Sequence, residues 1–179
     1  MPLIINYDTV LKTLRRITHE IIEKSDDLST IVLIGIKNKG VPIAKLIQEN
    51  IKTYTGVSIE LTELDISMHR DDEKKRPSEP ATMNVNGKTC ILIDDVLYTG
   101  RTVRAAMDAL IEYGRPKRIE LVVLIDRGHR ELPIRADYVG KNMPTAKDEI
   151  VRVQMSGDDA GVYIEKKGTD YGKIEGNRF

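Results

Sequence analysis

Apolar positions along this chain alternate between two rhythms, one helical and one strand-like. From Asp8 to Lys24, Val10, Leu14, Ile17 and Ile21 recur at helical spacing, and Leu11 and Ile22 widen the stripe. This predicts an amphipathic helix with Asp8 as its N-cap. Its opposite face carries Lys12, Arg16, His19 and Glu23 at steps of three or four, so these side chains line up outside the core. Thr30 to Ile36 is a continuous apolar run of strand length, ending in the loop Lys37-Asn38-Lys39-Gly40. Pro42 suits the first turn of a second helix that reaches about Tyr54 and is closed by Gly56. Val57 to Ile66 alternates like a strand. Ser67 to Gly87 is polar and contains Arg70-Asp71-Asp72, and a loop of that length inside a domain is usually functional or mobile. Thr89 to Ile93 reads as a buried strand, Thr102 to Tyr113 as a helix stopped by Gly114 and Pro116, and Arg118 to Asp126 as a further strand. Extended segments follow at Tyr138 to Pro144, Ile150 to Met155 and Val162 to Glu165.

Strands alternating with helices predict an α/β fold: a central, mostly parallel sheet with helices on both faces. Ligands in such folds bind outside the carboxyl ends of the strands, where the loops 37–40 and 94–102 both fall. With 179 residues, 40% hydrophobic and 31% charged, the chain suits one globular domain, placed at 1–165. The remainder, 166–179, is a polar tail for which disorder is the expectation. No apolar run reaches membrane-spanning length, and Met1 to Asp8 lacks a basic signal-like region, so a cytoplasmic location is expected. Cys90 is the only cysteine, which excludes an intramolecular disulfide and fits a small core residue in a reducing compartment. Lys plus Arg (28) balance Asp plus Glu (28), so any nucleic-acid interface must come from local clustering.

The chemistry concentrates in Thr89 to Thr102, T-C-I-L-I-D-D-V-L-Y-T-G-R-T. Four apolar residues deliver Asp94 and Asp95, and Val96, Leu97, Tyr98, Thr99, Gly100, Arg101 and Thr102 then turn into a helix. Free backbone N–H groups at a helix start, with a glycine and two hydroxyls, make a cradle for a phosphate dianion. Acids just ahead of it would repel the phosphate, so they face something else, and ribose hydroxyls are good partners for carboxylates. A lone Asp-Asp pair would more simply end a strand and cap a helix. A nucleoside-triphosphate loop competes at Gly35 to Gly40, but Val41-Pro42 stands where Lys-Ser/Thr is required.

This segment resembles the signature of the type I phosphoribosyltransferases, which bind 5-phosphoribosyl-1-pyrophosphate (PRPP). The resemblance implies that Asp94 and Asp95 hold the ribose 2- and 3-hydroxyls while Val96 to Thr102 hold the 5-phosphate. Lys37, Asn38, Lys39 and Gly40 would meet pyrophosphate, and Arg70-Asp71-Asp72 would belong to a small hood closing over the site. Mg2+ would come bound to the substrate, with no protein side chains alone forming a metal site. Pyrophosphate would be displaced through an oxocarbenium-like transition state, with Asp94, Asp95, Lys37, Lys39 and Arg70 as the catalytic set. Lys39 stands where arginine is expected from the resemblance, keeping the charge without the planar fork.

The longer strings from Asp94 to Leu110 and from Asp126 to Asn142 are similar to those of bacterial pyrimidine-operon attenuation regulators that are also uracil phosphoribosyltransferases. That similarity implies uracil as the base, held near Tyr138, Lys141, Asn142 and Met143 with Thr145 completing the wall, and UMP or UTP as nucleotide ligands. It also implies binding to the leader RNA of the pyrimidine operon through Arg16, His19, His129, Arg130, Arg135 and Lys141, on a surface that a homodimer or higher homo-oligomer would broaden. Two alternatives stand beside it: a phosphoribosyltransferase for another base, such as hypoxanthine or orotate, without RNA binding, and a non-catalytic PRPP/UMP sensor.

Overall fold

The computed structural model describes residues 2–69 and 82–168. Arg70, Asp71 and Asp72, and the tail beyond residue 168, lie outside the described residues. The order of elements is β1 (Leu3–Asn6), α1 (Tyr7–Lys24), β2 (Ile31–Ile36), α2 (Gly40–Thr55), β3 (Glu60–Leu64), β4 (Thr89–Leu97), α3 (Arg101–Ile111), β5 (Arg118–Asp126), β6 (Tyr138–Asn142), β7 (Glu149–Gln154) and β8 (Gly161–Lys166). A short 3-10 turn at Leu28–Thr30 leads into β2.

Five strands form a parallel sheet in the order β3-β2-β4-β5-β6. Strand β2 and residues 90–93 of β4 read as unbroken apolar runs because helices cover both faces there. One core lies under α1 and α2, where Leu14, Ile17, Ile21, Ile43, Ile47 and Ile51 pack on Ile91 and Ile93. The other lies under α3, where Val103, Ala106 and Leu110 pack on Cys90 and Leu92. The odd and even residues of β4 thus point to opposite layers, as strand geometry requires.

Two elements differ from the sequence expectation. The first helix is capped by Asn6 rather than Asp8: the Asn6 side chain accepts from the Thr9 N–H at 2.9 Å, and Asp8 falls inside the first turn, where its charge suits the helix dipole. The strand β1, unforeseen because four residues show no readable period, pairs antiparallel with β8, which pairs with β7. This three-stranded sheet, built from the two ends of the fold, buries Ile5, Val151, Val153 and Val162 in the α1/α2 core.

Cys90 is fully buried in β4. Burial pushes its thiol up to about 11 from the ordinary 9.0, against the pull of Lys88. The raised value favours the neutral thiol in the fold, so this contribution to stability is present below pH 9 and lost as pH climbs through about 11. Ellman's reagent at pH 8 is expected to leave the native protein unlabelled and to titrate one thiol in guanidinium; rapid native labelling would place Cys90 outside the core.

Candidate active site

The strand order reverses direction between β2 and β4: the chain moves from β2 out to β3, then crosses back to β4 and continues to β5 and β6. Loops leaving β2 and β4 therefore part to opposite sides, opening a crevice at their carboxyl ends. Residues 37–40 form one wall and Tyr98–Gly100 the other, each running into a helix start, α2 at Gly40 and α3 at Arg101. Two helix N-termini, each with a positive dipole end, converge on the crevice.

Gly40 makes the close approach possible. A Cβ there would lie 2.0 Å from the Ile93 carbonyl oxygen and 3.2 Å from Asp94 Cα, so only a glycine lets α2 start against the strand that carries the acids. The β2–β4 ladder ends at Gly35 opposite Ile93, whereas β4 continues alongside β5 to Leu97 opposite Asp126. Asp94 and Asp95 are thus part of the strand, beyond the point where β2 covers it. The in-out alternation reverses across them. Ile91, Ile93 and Val96 pack with the α1/α2 core, and Cys90, Leu92 and Leu97 with the α3 core. Asp94 is 7% exposed, with Oδ1 accepting from the Asp95 N–H at 2.9 Å, and half-buried Asp95 accepts from the Val96 N–H at 2.8 Å. Each carboxylate is held by the next backbone amide, which fixes its rotamer.

Behind the turn, three successive carbonyls are drawn backwards by the segment after β5. Leu97 O accepts from the Arg127 N–H at 3.1 Å, Tyr98 O from Arg130 Nη1 at 2.9 Å, and Thr99 O from the Glu131 and Leu132 N–H groups at 2.9 and 3.2 Å. Carbonyl oxygens carry the same sign of partial charge as a phosphate, so turning them away is what an anion cradle requires. Gly100, at φ +92°, makes the corner, with Ile134 packed 3.3 Å from where a Cβ would be. The Thr99 hydroxyl accepts from the Arg101 N–H at 3.2 Å. Thr102 lies in the first turn of α3.

On the opposite wall the Lys37–Asn38 peptide is cis. Lys37 Nζ lies 3.7 Å from Glu63 at the end of β3, and Lys39 Nζ donates to the Val153 carbonyl of β7 at 3.1 Å. Both lysines stand on the crevice loop, with their ammonium groups on neighbouring strands. Among the described residues no group of three His, Cys, Asp or Glu side chains could hold a metal ion.

The expected base and RNA residues separate. Tyr138 sits at the amino end of β6 opposite Val122, four residues and about 13 Å from the carboxyl edge. It is 4% exposed, its hydroxyl reaches Glu120 at 3.5 Å, and Lys24 Nζ lies 5.1 Å over its ring. Burial, reinforced by Glu120 and Asp137, pushes its phenol pKa up. Tyr138 is therefore a core residue, not a base contact. Asn142 and Lys141, exposed, and Met143, buried, do lie at the carboxyl edge, where the Met143 N–H donates to the Asp126 carbonyl at 2.8 Å. Arg130 is likewise engaged within the fold: besides Tyr98 O, it bonds Ile134 O at 2.9 Å and Asp126 Oδ2 at 2.5 Å. His129, at φ +65°, turns its ring onto Thr145 O and edge-on to Tyr98. Arg16 pairs with Glu20 and donates to Val139 O and Gly140 O at 3.1 and 2.6 Å, which ties α1 to β6. His19 is exposed and stacks against Tyr54 of α2, ring centroids 4.4 Å apart; Arg135 and Lys141 are exposed. Sequence separation hid the α1–β6 junction, which sets Arg16 beside the strand that bears Lys141.

Residues 6–158 match the model of the phosphoribosyl transferase domain family. The chain is 51% identical over 166 residues to Bifunctional protein PyrR of Haemophilus influenzae, covering 88% of this chain and 93% of that one. It is 52% identical over 170 residues to the pyrimidine operon regulatory protein of Lactococcus lactis, covering 93% and 97%. Its fold resembles a hypoxanthine-guanine phosphoribosyltransferase from Bacillus anthracis, with TM-score 0.67, 19% identity and coverage of 80% and 82%. A crevice at the sheet's switch point, two acids at a strand end, a turn stripped of inward carbonyls and half-identity across whole relatives have one common account: the chain belongs to the phosphoribosyl transferase family, in its PyrR branch.

Proposed function

We propose that this protein transfers the phosphoribosyl group of PRPP to uracil, forming UMP and pyrophosphate, and that it binds pyrimidine-operon leader RNA in a uridine-nucleotide-dependent way to promote transcription attenuation. The observation that carries the reading is the junction of β4 with its turn: two rigidly held carboxylates, then a turn whose three carbonyls face backwards. In the reaction the bond from the anomeric carbon to pyrophosphate breaks, N1 of uracil forms the new bond, and the N1 proton is lost. Positive charge develops on the ribose ring, opposite Asp94 and Asp95, while Lys37, Lys39 and the α2 N-terminus stand on the side of the departing anion. Mg2+ arriving with PRPP would offset charge on the leaving group, and Asp94 and Asp95, as hard oxygen donors, would suit an ion held mainly by substrate oxygens. Lys141, Asn142 and the main chain at Met143 stand nearest the base in this reading.

For RNA, the exposed His19, Arg135 and Lys141 remain as direct contacts. Imidazole suits stacking on an unpaired base, and the two cations suit phosphates. A homo-oligomer in the cytoplasm would present these groups more than once and widen the surface. If UMP favours the RNA-binding state, RNA tightens UMP binding by the same factor.

The test is pyrophosphate release from PRPP with Mg2+ in the presence of uracil, hypoxanthine or orotate. Release with uracil alone, abolished by EDTA, is expected; release with hypoxanthine or orotate instead assigns another base, and tight PRPP binding without release assigns a sensor. A gel shift with the leader RNA, strengthened by UMP, is expected at low salt, and identical RNA affinity with and without UMP removes the regulatory half.

A further inference from the structure

Among the described residues, four polar or charged side chains are buried: Thr18, Asp94, Glu120 and Arg127. Three have an evident place. The Thr18 hydroxyl bonds the Leu14 carbonyl one turn back, Asp94 belongs to the crevice, and Glu120 meets Lys24 at 2.8 Å and Arg118 at 3.5 Å. Arg127 is 5% exposed and, among the described residues, forms no ion pair with a carboxylate. A buried guanidinium without a counter-charge is costly unless stacking and hydrogen bonds offset its desolvation, so what it touches matters.

Its contacts reach two segments 47 residues apart. The Cζ atom lies 4.0 Å over the ring of Tyr98, within the phosphate turn. Nε donates to Thr145 Oγ1 at 2.9 Å and Nη2 to Ala146 O at 3.0 Å, in the segment that follows β6. The guanidinium plane thus serves as a spacer, stacked on one wall and hydrogen-bonded to the other. His129 reinforces the same junction through Thr145 O and the edge of Tyr98.

The geometry points to Arg127 as a positioning residue of the transfer reaction, one that sets the distance between the turn holding the 5-phosphate and the wall flanking the base. This rests on the function proposed above, because only there do the two walls hold parts of one reacting pair. Ribose phosphate and base are bound by different loops, and the nitrogen attacks productively only if both are in register. A shift of about 1 Å between the walls is enough to cost on the order of a hundredfold in rate. Lysine cannot replace the arginine, since it has neither the plane that stacks nor the fork that bonds two acceptors.

The test compares wild type, Arg127→Lys, Arg127→Met, Tyr98→Leu and the Arg127→Met/Tyr98→Leu double variant, by steady-state kinetics with PRPP and uracil, by ribose 5-phosphate titration and by thermal melting. For Arg127→Lys the expectation is a kcat at saturating substrates reduced about ten- to hundredfold with a wild-type melting temperature. The double variant is expected to be no worse than Arg127→Met alone. Full activity in Arg127→Lys overturns the inference, because charge alone then suffices. A kcat loss only in proportion to lost stability, or additive effects in the cycle, overturns it as well. If Arg127→Met does not fold, Arg127→Lys with Tyr98→Leu carries the comparison. Ribose 5-phosphate titration is independent of the base, so if wild type makes no UMP the functional reading fails. Arg127 is then judged by whether Arg127→Lys weakens that binding at least tenfold, unchanged binding overturning its role.

Discussion

Replacing Asp94 with asparagine is expected to lower kcat for UMP formation about 10²- to 10³-fold while leaving the fold intact, a loss of the size seen when one preorganised charge-stabilising group is removed. The asparagine oxygen can still accept from the Asp95 N–H, the 2.9 Å bond that holds the carboxylate in place, so the shape and this hydrogen bond survive while the charge is lost. That charge matters most when the ribose ring becomes cationic, so the effect belongs to kcat rather than to PRPP binding alone. The near-complete burial of Asp94 strengthens the interaction by keeping water from screening it. Steady-state kinetics of Asp94→Asn, with a thermal melt to certify the fold, make the measurement. Activity within threefold of wild type would mean that the carboxylate does not face the reacting sugar.

Gly40→Ala is expected to damage both stability and activity. The added Cβ would stand 2.0 Å from Ile93 O and 2.9 Å from Ile93 C, and because both are backbone atoms of the central strand neither can rotate away. Relief requires α2 to retreat from β4, at a cost of about 1–3 kcal/mol, typical of overpacking a filled interior. In a domain of this size that corresponds to a melting temperature lower by roughly 2–10 °C. The retreat would also carry the Lys37–Lys39 loop and the α2 N-terminus away from Asp94, so kcat/KM for PRPP is expected to fall by about tenfold or more, as a displacement of the order of an ångström does. Differential scanning calorimetry and PRPP kinetics on the same preparation separate the two effects. A melting temperature equal to wild type would show that the helix start has room to spare.

Arg130 and Arg127 divide what was readable from what was not. Their segment, Arg127 to Arg135, has only a modest basic excess in sequence, and the resemblance to the regulator family, not composition, is what points His129, Arg130 and Arg135 toward RNA. Folding gives it another task. Three of its backbone amides, those of Arg127, Glu131 and Leu132, and one guanidinium arm, that of Arg130, take up the carbonyls of Leu97, Tyr98 and Thr99, an arrangement that is invisible until the two loops are side by side. Tyr138 was misplaced for a related reason. The letters put it in an extended segment but give no hint of which end of that strand reaches the crevice; the pairing of Tyr138 with Val122 decides it.

What the sequence alone determined is local and periodic: the α1, α2 and α3 stripes, the buried strands, and the acid-acid-turn signature at 94–102, because helix and strand periods and turn chemistry act over a few residues. What only the tertiary structure decided is non-local. The pairing of β1 with β8, the Gly40–Ile93 contact, the α1–β6 clamp by Arg16 and the stacking of Arg127 on Tyr98 all join residues far apart in the chain. Such contacts depend on the order and register of strands in a common sheet, and no single segment carries that information.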